Sequence, residues 1–587
     1  MDIHCLTSLV KRDVGHFPGL RYTKDLGVKV FVAHPGKVHR LAARFTSKRQ
    51  DDSSTDPHDF LMPLYLFPSF RTIAVALLLV SAGAAQLVGT YTVNPTWPAS
   101  PSNFSSLGSA VAQLVLVGVA GPVEIHIYDD AGPYNEANTF TTTSGPFAPQ
   151  TAVLTMAQWP GASAANRVIW KPAAGEAPIF DATGRAMGIF WGGADYVTVE
   201  GIEIRNAPFD GISLYTETSH TQAVDPVING CRIHDCGGAA VCIYGNSLQP
   251  LNTIVMNCFM WRCELTNAGS FSTTGRFGYI TTRRSTNTRI LHNTIMMDTG
   301  VGGSVCAIGA YCSGSAELPF AEVSNNVILK TGAAGKPIFS FNTVAGAANV
   351  VPPICDSNCY LDSTASPFAK YGSGATLLSP TLAAWQTAIT RDLASIWSDP
   401  VLYAPSAGNL RLTSGSPCIA LSTIASTVVT VDIDGQVRSA PRDIGADAFS
   451  FATLDVLGSA CAGTANSTPK LDSHSWPYLG NPSFPIKTSN VPPFAPILLF
   501  LSFGISPNPI PLGGGCNVYL EPNSALSLPI NPISLAADAF GGATFAIGIP
   551  ADPALIGVQV CLQDLVPDGG APMGFTVSNG LFVVLGF

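Results

Sequence analysis

Glu203, Arg232, Arg205, His234, Trp261, Asp235 and Arg262 fall at matching places of successive repeats. Glu203 and Arg232 are 29 residues apart, Arg205 and His234 likewise 29, and His234 and Trp261 27, as are Asp235 and Arg262. Two chemistries suit such a set. A lyase acting on a uronate polymer needs a base for the proton beside the carboxylate and a cation to stabilise the enediolate. Arg232, His234 or Arg262 would serve, with Asp235 as the group to hold a Ca2+ ion. A glycoside hydrolase needs two carboxylates at a set separation, and Glu203 and Asp235 are the nearest pair in register. The same residues also read as ion pairs between adjacent strands, Glu203 with Arg232 and Asp235 with Arg262.

A second group has the chemistry of sugar contact. Tyr215 and Tyr244 stand 29 residues apart, and with Trp261 they offer rings for a sugar face. Arg276, Arg283 and Arg284 place three arginines within nine positions, in a chain with only 19 basic residues after residue 86. Arginine forks match carboxylates, so these fit an acidic glycan; they equally fit a solvated turn. Asp432-Ile-Asp434-Gly435 begins like a calcium loop but lacks the later ligands of an EF-hand, and it reads as a turn.

What would position these side chains is a repeat. The phrases Gly201-Ile-Glu-Ile204, Gly230-Cys-Arg-Ile233, Asn257-Cys-Phe-Met260, His292-Asn-Thr-Ile295, Asn325-Asn-Val-Ile328 and Asn358-Cys-Tyr-Leu361 recur at intervals of 29, 27, 35, 33 and 33 residues. Each opens on a residue type that tolerates a left-handed turn, then alternates like a strand. A second strand echoes behind it: Ile212-Ser-Leu214, Val241-Cys-Ile243, Gly278-Tyr-Ile280, Cys306-Ala-Ile308 and Ile338-Phe-Ser340. One rung cannot bury its inner face alone, so rungs must stack, about 4.8 Å apart. The column Ile202, Cys231, Cys258, Asn293, Asn326, Cys359 is expected to face inward, its asparagines bonded to one another up the stack.

This pattern resembles the right-handed parallel β-helix of pectate lyases and other secreted carbohydrate-active proteins. The resemblance covers about residues 88–450, and the coil domain is expected over 86–450. Leu107, Ala110, Val111 and Leu114 place an apolar stripe on a short helix ahead of the strand Val123-Glu-Ile-His-Ile127, similar to an N-terminal cap. Asn409-Leu-Arg-Leu412 and the stretch from Asp432 to Ala446 resemble a closing segment of bacterial secreted β-helix proteins. The fold class implied is all-β, a capped right-handed parallel β-helix followed by a small β-sandwich. A working face on the outside of the coil, meeting an extended polysaccharide, is implied with it.

Composition narrows the rest. Charged residues are 12% and the net charge is −9, which argues against nucleic acid as a partner. The first 50 residues hold ten Lys/Arg, whereas the chain beyond residue 86 is net −13. Residues 1–61 are therefore expected to be an extension foreign to the rest. Residues 62–85 carry Arg71, the apolar run Ile73 to Val80 and small residues at the exit, the pattern of a signal peptide; no stable membrane span would remain after cleavage. Residues 451–500 read as a loop-rich linker and 501–587 as a β-sandwich module, with Cys516–Leu520, Ala543–Ile549, Gly557–Leu562 and Leu581–Leu585 as strands. Cys461, Cys516 and Cys561 cannot all pair among themselves, and the stacked Cys231/Cys258 and Cys236/Cys263 fit either disulfides or buried thiols. The expected function is that of a secreted, extracellular or cell-surface protein contacting polysaccharide or cell-envelope glycan. It would act as a uronate lyase or glycoside hydrolase; the alternative is a non-catalytic structural or adhesin-like rod.

Overall fold

The computed structural model describes the strand pair Val28–Lys29 and Arg44–Phe45, and residues 85–587 apart from 141–149, 218–221, 267–277, 299–304, 313–316, 333, 344–350, 365–366, 425–427, 523–531, 572 and 587. Ala85–Phe587 is one compact unit. The expected extension and signal segment otherwise lie outside the described residues, as does Arg276. No helix among the described residues is long and apolar enough to cross a membrane.

Each rung of the coil contributes one strand to each of three sheets. In one rung these are Val197–Glu200 (first sheet), Glu203–Arg205 (second) and Ile212–Thr216 (third). The next rung repeats them as Val227–Asn229, Arg232–His234 and Val241–Gly245. Successive rungs pair in parallel and in register, so the chain winds as a parallel β-helix. Ile204, Ile233, Met260, Ile295 and Ile328 align in one column and are fully buried. Their inward faces form the axial core that no single rung could enclose.

The left-handed turn between the first and second sheets explains the residue that opens each phrase. Gly201, Gly230, Asn257, His292, Asn325 and Ser357 all have φ between 51° and 67°. The last phrase is therefore one residue earlier than its pattern suggests. Val327 pairs with Cys359, so Asn358, not Cys359, occupies the inward column. Asn293 donates from its backbone N and Nδ2 to Asn326 Oδ1 (3.0 and 3.1 Å), and Asn326 does the same to Asn358 Oδ1 (2.9 and 3.1 Å). The amide ladder is present, shifted to Asn358. Cys359 instead faces outward, beside Cys418.

Both ends of the coil are covered. The helix Leu107–Val117 buries Leu107, Ala110 and Leu114. Ser106 caps it, and Glu136 accepts the backbone N–H groups of Leu107 and Gly108 at 2.6 and 2.9 Å, where a carboxylate suits the helix dipole. At the other end the sequence reading missed a helix, Leu382–Ile389. Its Trp385 stacks on Phe339 and packs against Phe341 and Phe368. Antiparallel strands terminate the third sheet at both ends, which blunts its open edges.

From Pro400 onward the chain returns along the outside of the second sheet. Leu402, Leu410, Leu412, Cys418, Ile444 and Ala446 pack on Phe259, Trp261, Met296, Val327, Leu329 and Cys359. Beneath this closing segment His292 is fully buried, beside the backbone of Asp443 and Gly445. Burial, with Arg438 and Arg442 nearby, holds its pKa well below 6.5. The folded protein thus keeps it neutral while the unfolded chain protonates it below about pH 6.5. Its contribution is present above that pH and is lost as pH falls, by up to about 1.4 kcal/mol per pH unit. Denaturant midpoints from pH 7.5 to 5 should fall less steeply for His292→Asn than for the parent chain; equal slopes would exclude His292 as the source.

Residues 451–500 are not a bare linker. They supply Thr453–Leu457, Lys470–Asp472, Phe484–Ser489 and Pro496–Phe503. With Ile533–Ala536, Ala543–Ile547, Gln559–Pro567, Phe575–Val577 and Gly580–Val584, these build two antiparallel sheets. Leu471, Phe484 and Ile486 of one sheet meet Leu499, Leu562 and Leu581 of the other, a small sandwich. Cys461 and Cys516 form a disulfide, and Cys561 is a buried thiol.

Candidate functional site

The residues singled out in the sequence divide between two faces of the coil. Glu203, Arg232, His234, Asp235, Trp261 and Arg262 lie on or beside the second sheet. Tyr215, Tyr244, Arg283 and Arg284 belong to the third.

On the second sheet the expected register holds, Glu203 beside Arg232 and Arg205 beside His234 and then Trp261. The contacts are those of a closed network. His234 Nδ1 lies 2.6 Å from Asp235 Oδ2, and Nε2 lies 3.4 Å from Glu203 Oε1. Arg262 donates to both oxygens of Asp235, at 2.6 and 2.5 Å. Arg205 joins Glu203 (3.2 Å) to Asp181 (3.0 Å). Burial pushes the carboxyls of Glu203 and Asp235 up, but His234 with Arg205 and Arg232, and Arg262 with His234, outweigh it and hold both below the ordinary range. These are ionised groups with their partners in place, and the Asp235 oxygens expected for Ca2+ are occupied by Arg262 and His234.

Two details depart from the sequence reading. Arg232 does not hydrogen-bond Glu203. It reaches Asp434 (3.3 Å), which also takes a two-pronged bond from Arg411 at 2.8 and 2.6 Å. Trp261 is no sugar platform: it stacks on His234, with ring centroids 4.1 Å apart, and a Cβ at Gly408 would fall 2.6 Å from its ring. The closing segment leaves it no room for a sugar.

Two acidic clusters could present ligand atoms to a metal, Asp129/Asp130/Glu176 and Asp432/Asp434/Asp447, each with atoms within 4.8 Å of one another. Both already have organic counter-charges. Lys487 pairs with Asp129 and Glu176, and Arg411 and Arg232 pair with Asp434. Asp432 accepts the backbone N–H groups of Asp434, Gln436 and Ala448, the turn expected for this loop.

The third sheet is different. Tyr215, Tyr244, Arg283, Tyr311 and Asn342 occupy one outward column on five successive rungs, about 19 Å long at the usual strand spacing. Tyr215 is fully buried and stacks on Tyr244 at 5.3 Å; it is a floor, not a surface for sugar. Its hydroxyl donates to Glu217 Oε2 at 3.0 Å. The guanidinium of Arg283 lies between two rings, 4.8 Å from the centroid of Tyr244 and 5.1 Å from that of Tyr311. Among the described residues its Nε and Nη1 have no hydrogen-bond partner, nor does Asn342 Oδ1 two rungs on. Arg284 is committed to Glu317 (3.5 Å) and to the Asn246 carbonyl. Sequence reasoning missed Glu217, Glu317 and Tyr311. The 28-residue step from Arg283 to Tyr311 was the available signal.

The winding and the sequence agree on the class: this is a right-handed parallel β-helix, and residues 184–348 match the family model described as right handed beta helix region. No curated protein matches the chain. Three solved structures are similar to it. One is the enzymatically active domain of tailspike protein 2 from bacteriophage CBA120, at 12% identity and TM-score 0.21, covering 78% of this chain and 65% of that one. Another is full-length tailspike protein 2 from the Escherichia coli O157:H7 bacteriophage CAB120, at 12% identity and TM-score 0.20, covering 78% and 58%. The third is tailspike protein gp49 of Acinetobacter baumannii bacteriophage Fri1, a capsular polysaccharide depolymerase, at 10% identity and TM-score 0.19, covering 85% and 68%. The chain spans less than two thirds of the length of the first two.

Proposed function

We propose that the protein works outside the cell and holds an acidic polysaccharide against the outer face of the third sheet, with Arg283 as the anchor. The observation that carries this reading is the Arg283 guanidinium, fixed between Tyr244 and Tyr311 with two nitrogens unpartnered among the described residues. A buried donor without a partner is costly. A uronate carboxylate meeting the accessible edge of this half-buried guanidinium would supply its counter-charge, and arginine is the side chain suited to gripping a planar carboxylate. Asn342 Oδ1 would take a sugar hydroxyl further along the same column. The apolar run before Gln86 supports export. The second-sheet network favours a structural role there, since each of its carboxylates already has a cationic or imidazole partner.

Binding to polygalacturonate and alginate should exceed binding to neutral dextran. Arg283→Ala should weaken the acidic polymers at least about tenfold, near 1.4 kcal/mol, and Arg283→Lys should not restore them, because an ammonium does not stack as guanidinium does. Equal affinity for acidic and neutral polymers, or an indifferent Arg283→Ala, would exclude the reading. The same incubations report reaction type: ultraviolet-absorbing product marks a lyase, new reducing ends without it a hydrolase, and neither a binding protein.

A further inference from the structure

A cavity of about 240 Å³ lies where the closing segment meets the C-terminal sandwich. Its walls include Tyr403, Phe451 and Trp476, with Ser414, Ser450 and Asp447 between them. Tyr403 and Phe451 are 50% and 49% exposed, and Phe451 packs edge-on against Phe449, which also lines the cavity. Trp476 lies over Arg411, 4.2 Å from Cζ to ring. Arg411 also borders the cavity, but its charge is spent on Asp434 at 2.6 and 2.8 Å. Asp447 is buried and accepts the Leu412 backbone N–H at 2.8 Å. Burial and the nearby Asp432 and Asp434 push its carboxyl well above the usual range.

We infer that this cavity is a binding site for one neutral pyranose residue, a chain end or side branch, held on the aromatic walls by its C–H face and by Ser414, Ser450 and Asp447 through its hydroxyls. The volume falls below the range for drug-sized ligands and suits a single ring. Aromatic sides with a few polar groups between them are what an amphipathic sugar face requires. The balance of charge separates this site from the Arg283 face: there two guanidinium nitrogens have no partner among the described residues, here the cation is paired with Asp434. An anionic sugar gains nothing from Arg411 and would meet the three acids behind it.

Saturation-transfer NMR on the full chain, with the methyl glycosides of glucose, galactose and mannose and with glucuronate as the anionic counterpart, tests this. At least one neutral glycoside should bind with a Kd of about 1 mM and glucuronate at least about tenfold more weakly. Tyr403→Ala and Phe451→Ala, both at exposed rings, should abolish the signal, and Arg283→Ala should leave it unchanged. Trp476→Phe is the milder probe at the residue that also covers Arg411, and it should weaken binding. No saturable signal from any of the three neutral glycosides, a preference for glucuronate, or a signal that survives both exposed-ring variants would each overturn the inference. Loss of binding in Arg283→Ala alone would move the sugar to the third sheet.

Discussion

Asp434→Ala should cost about 3–5 kcal/mol of folding stability, the usual loss when a buried ion pair is broken from one side. Asp434 is only 3% exposed at its side chain, yet Arg411 and Arg232 both point at it. Burial alone would raise its pKa; these two arginines hold it below the ordinary range, Arg411 first. Removing the carboxylate strands Arg411, 14% exposed, between Trp476 and Phe259, centroids 4.2 and 5.8 Å away, with only the small cavity beside it to relieve the charge. Replacing the pair together, Arg411→Met with Asp434→Leu, should recover part of the loss, because the most buried charge then leaves with its partner and only the half-buried Arg232 still loses Asp434. Denaturant midpoints for the single and double variants measure both. A single-variant loss below about 1 kcal/mol would mean that the site behaves as a surface pair and that the closing segment is not anchored there.

The second large effect is expected inside the coil. Asn326→Ala should cost about 3 kcal/mol, at roughly 1–3 kcal/mol for each polar group left buried and unpaired. Asn326 Oδ1 accepts the backbone N–H of Asn293 at 3.0 Å, and its Nδ2 donates to the carbonyls of Ile290 and Ser324, each at 3.0 Å. The Asn293 backbone N–H and the Ile290 carbonyl lose these bonds at once, far from solvent, while the Ser324 carbonyl keeps the His292 N–H at 3.1 Å. Asn326→Asp keeps the shape but loses both N–H donors and should be no better tolerated. Thermal melting of the two variants decides it; a transition within the parent's error in either would show that the ladder is ornamental to stability.

The coil was legible in the sequence because its period is written in the residues that must turn left-handed and in those that must face the axis. Glycine, asparagine and histidine mark the turn, and the isoleucine column marks the core. The reading slipped by one residue at Asn358 because Ser357 takes that turn at φ 54°, a conformation that serine does not advertise. Adjacent-rung relations, such as Arg262 with Asp235, could be read as a fixed offset. Asp434 with Arg232 could not, since 202 residues separate them and no repeat links the two. For the same reason Trp261 was read as an open ring: nothing near it in sequence says that Gly408 will lie across it. The strands of residues 451–500 were missed because prolines and polar turns crowd a stretch whose alternation is short.

Lys487 sits on a strand of the C-terminal sandwich, yet its ammonium lies between Asp129 and Glu176 of the first rungs. Pro485, on the same strand, lies against Gly175. Further along the winding, Trp476 covers Arg411, which lies over Phe259. The C-terminal sandwich and the segment leading into it therefore clasp the first half of the spiral from the side, like a splint fastened at two points. A pull on the two ends of Ala85–Phe587 would load these fastenings in shear before it could peel turns away one after another.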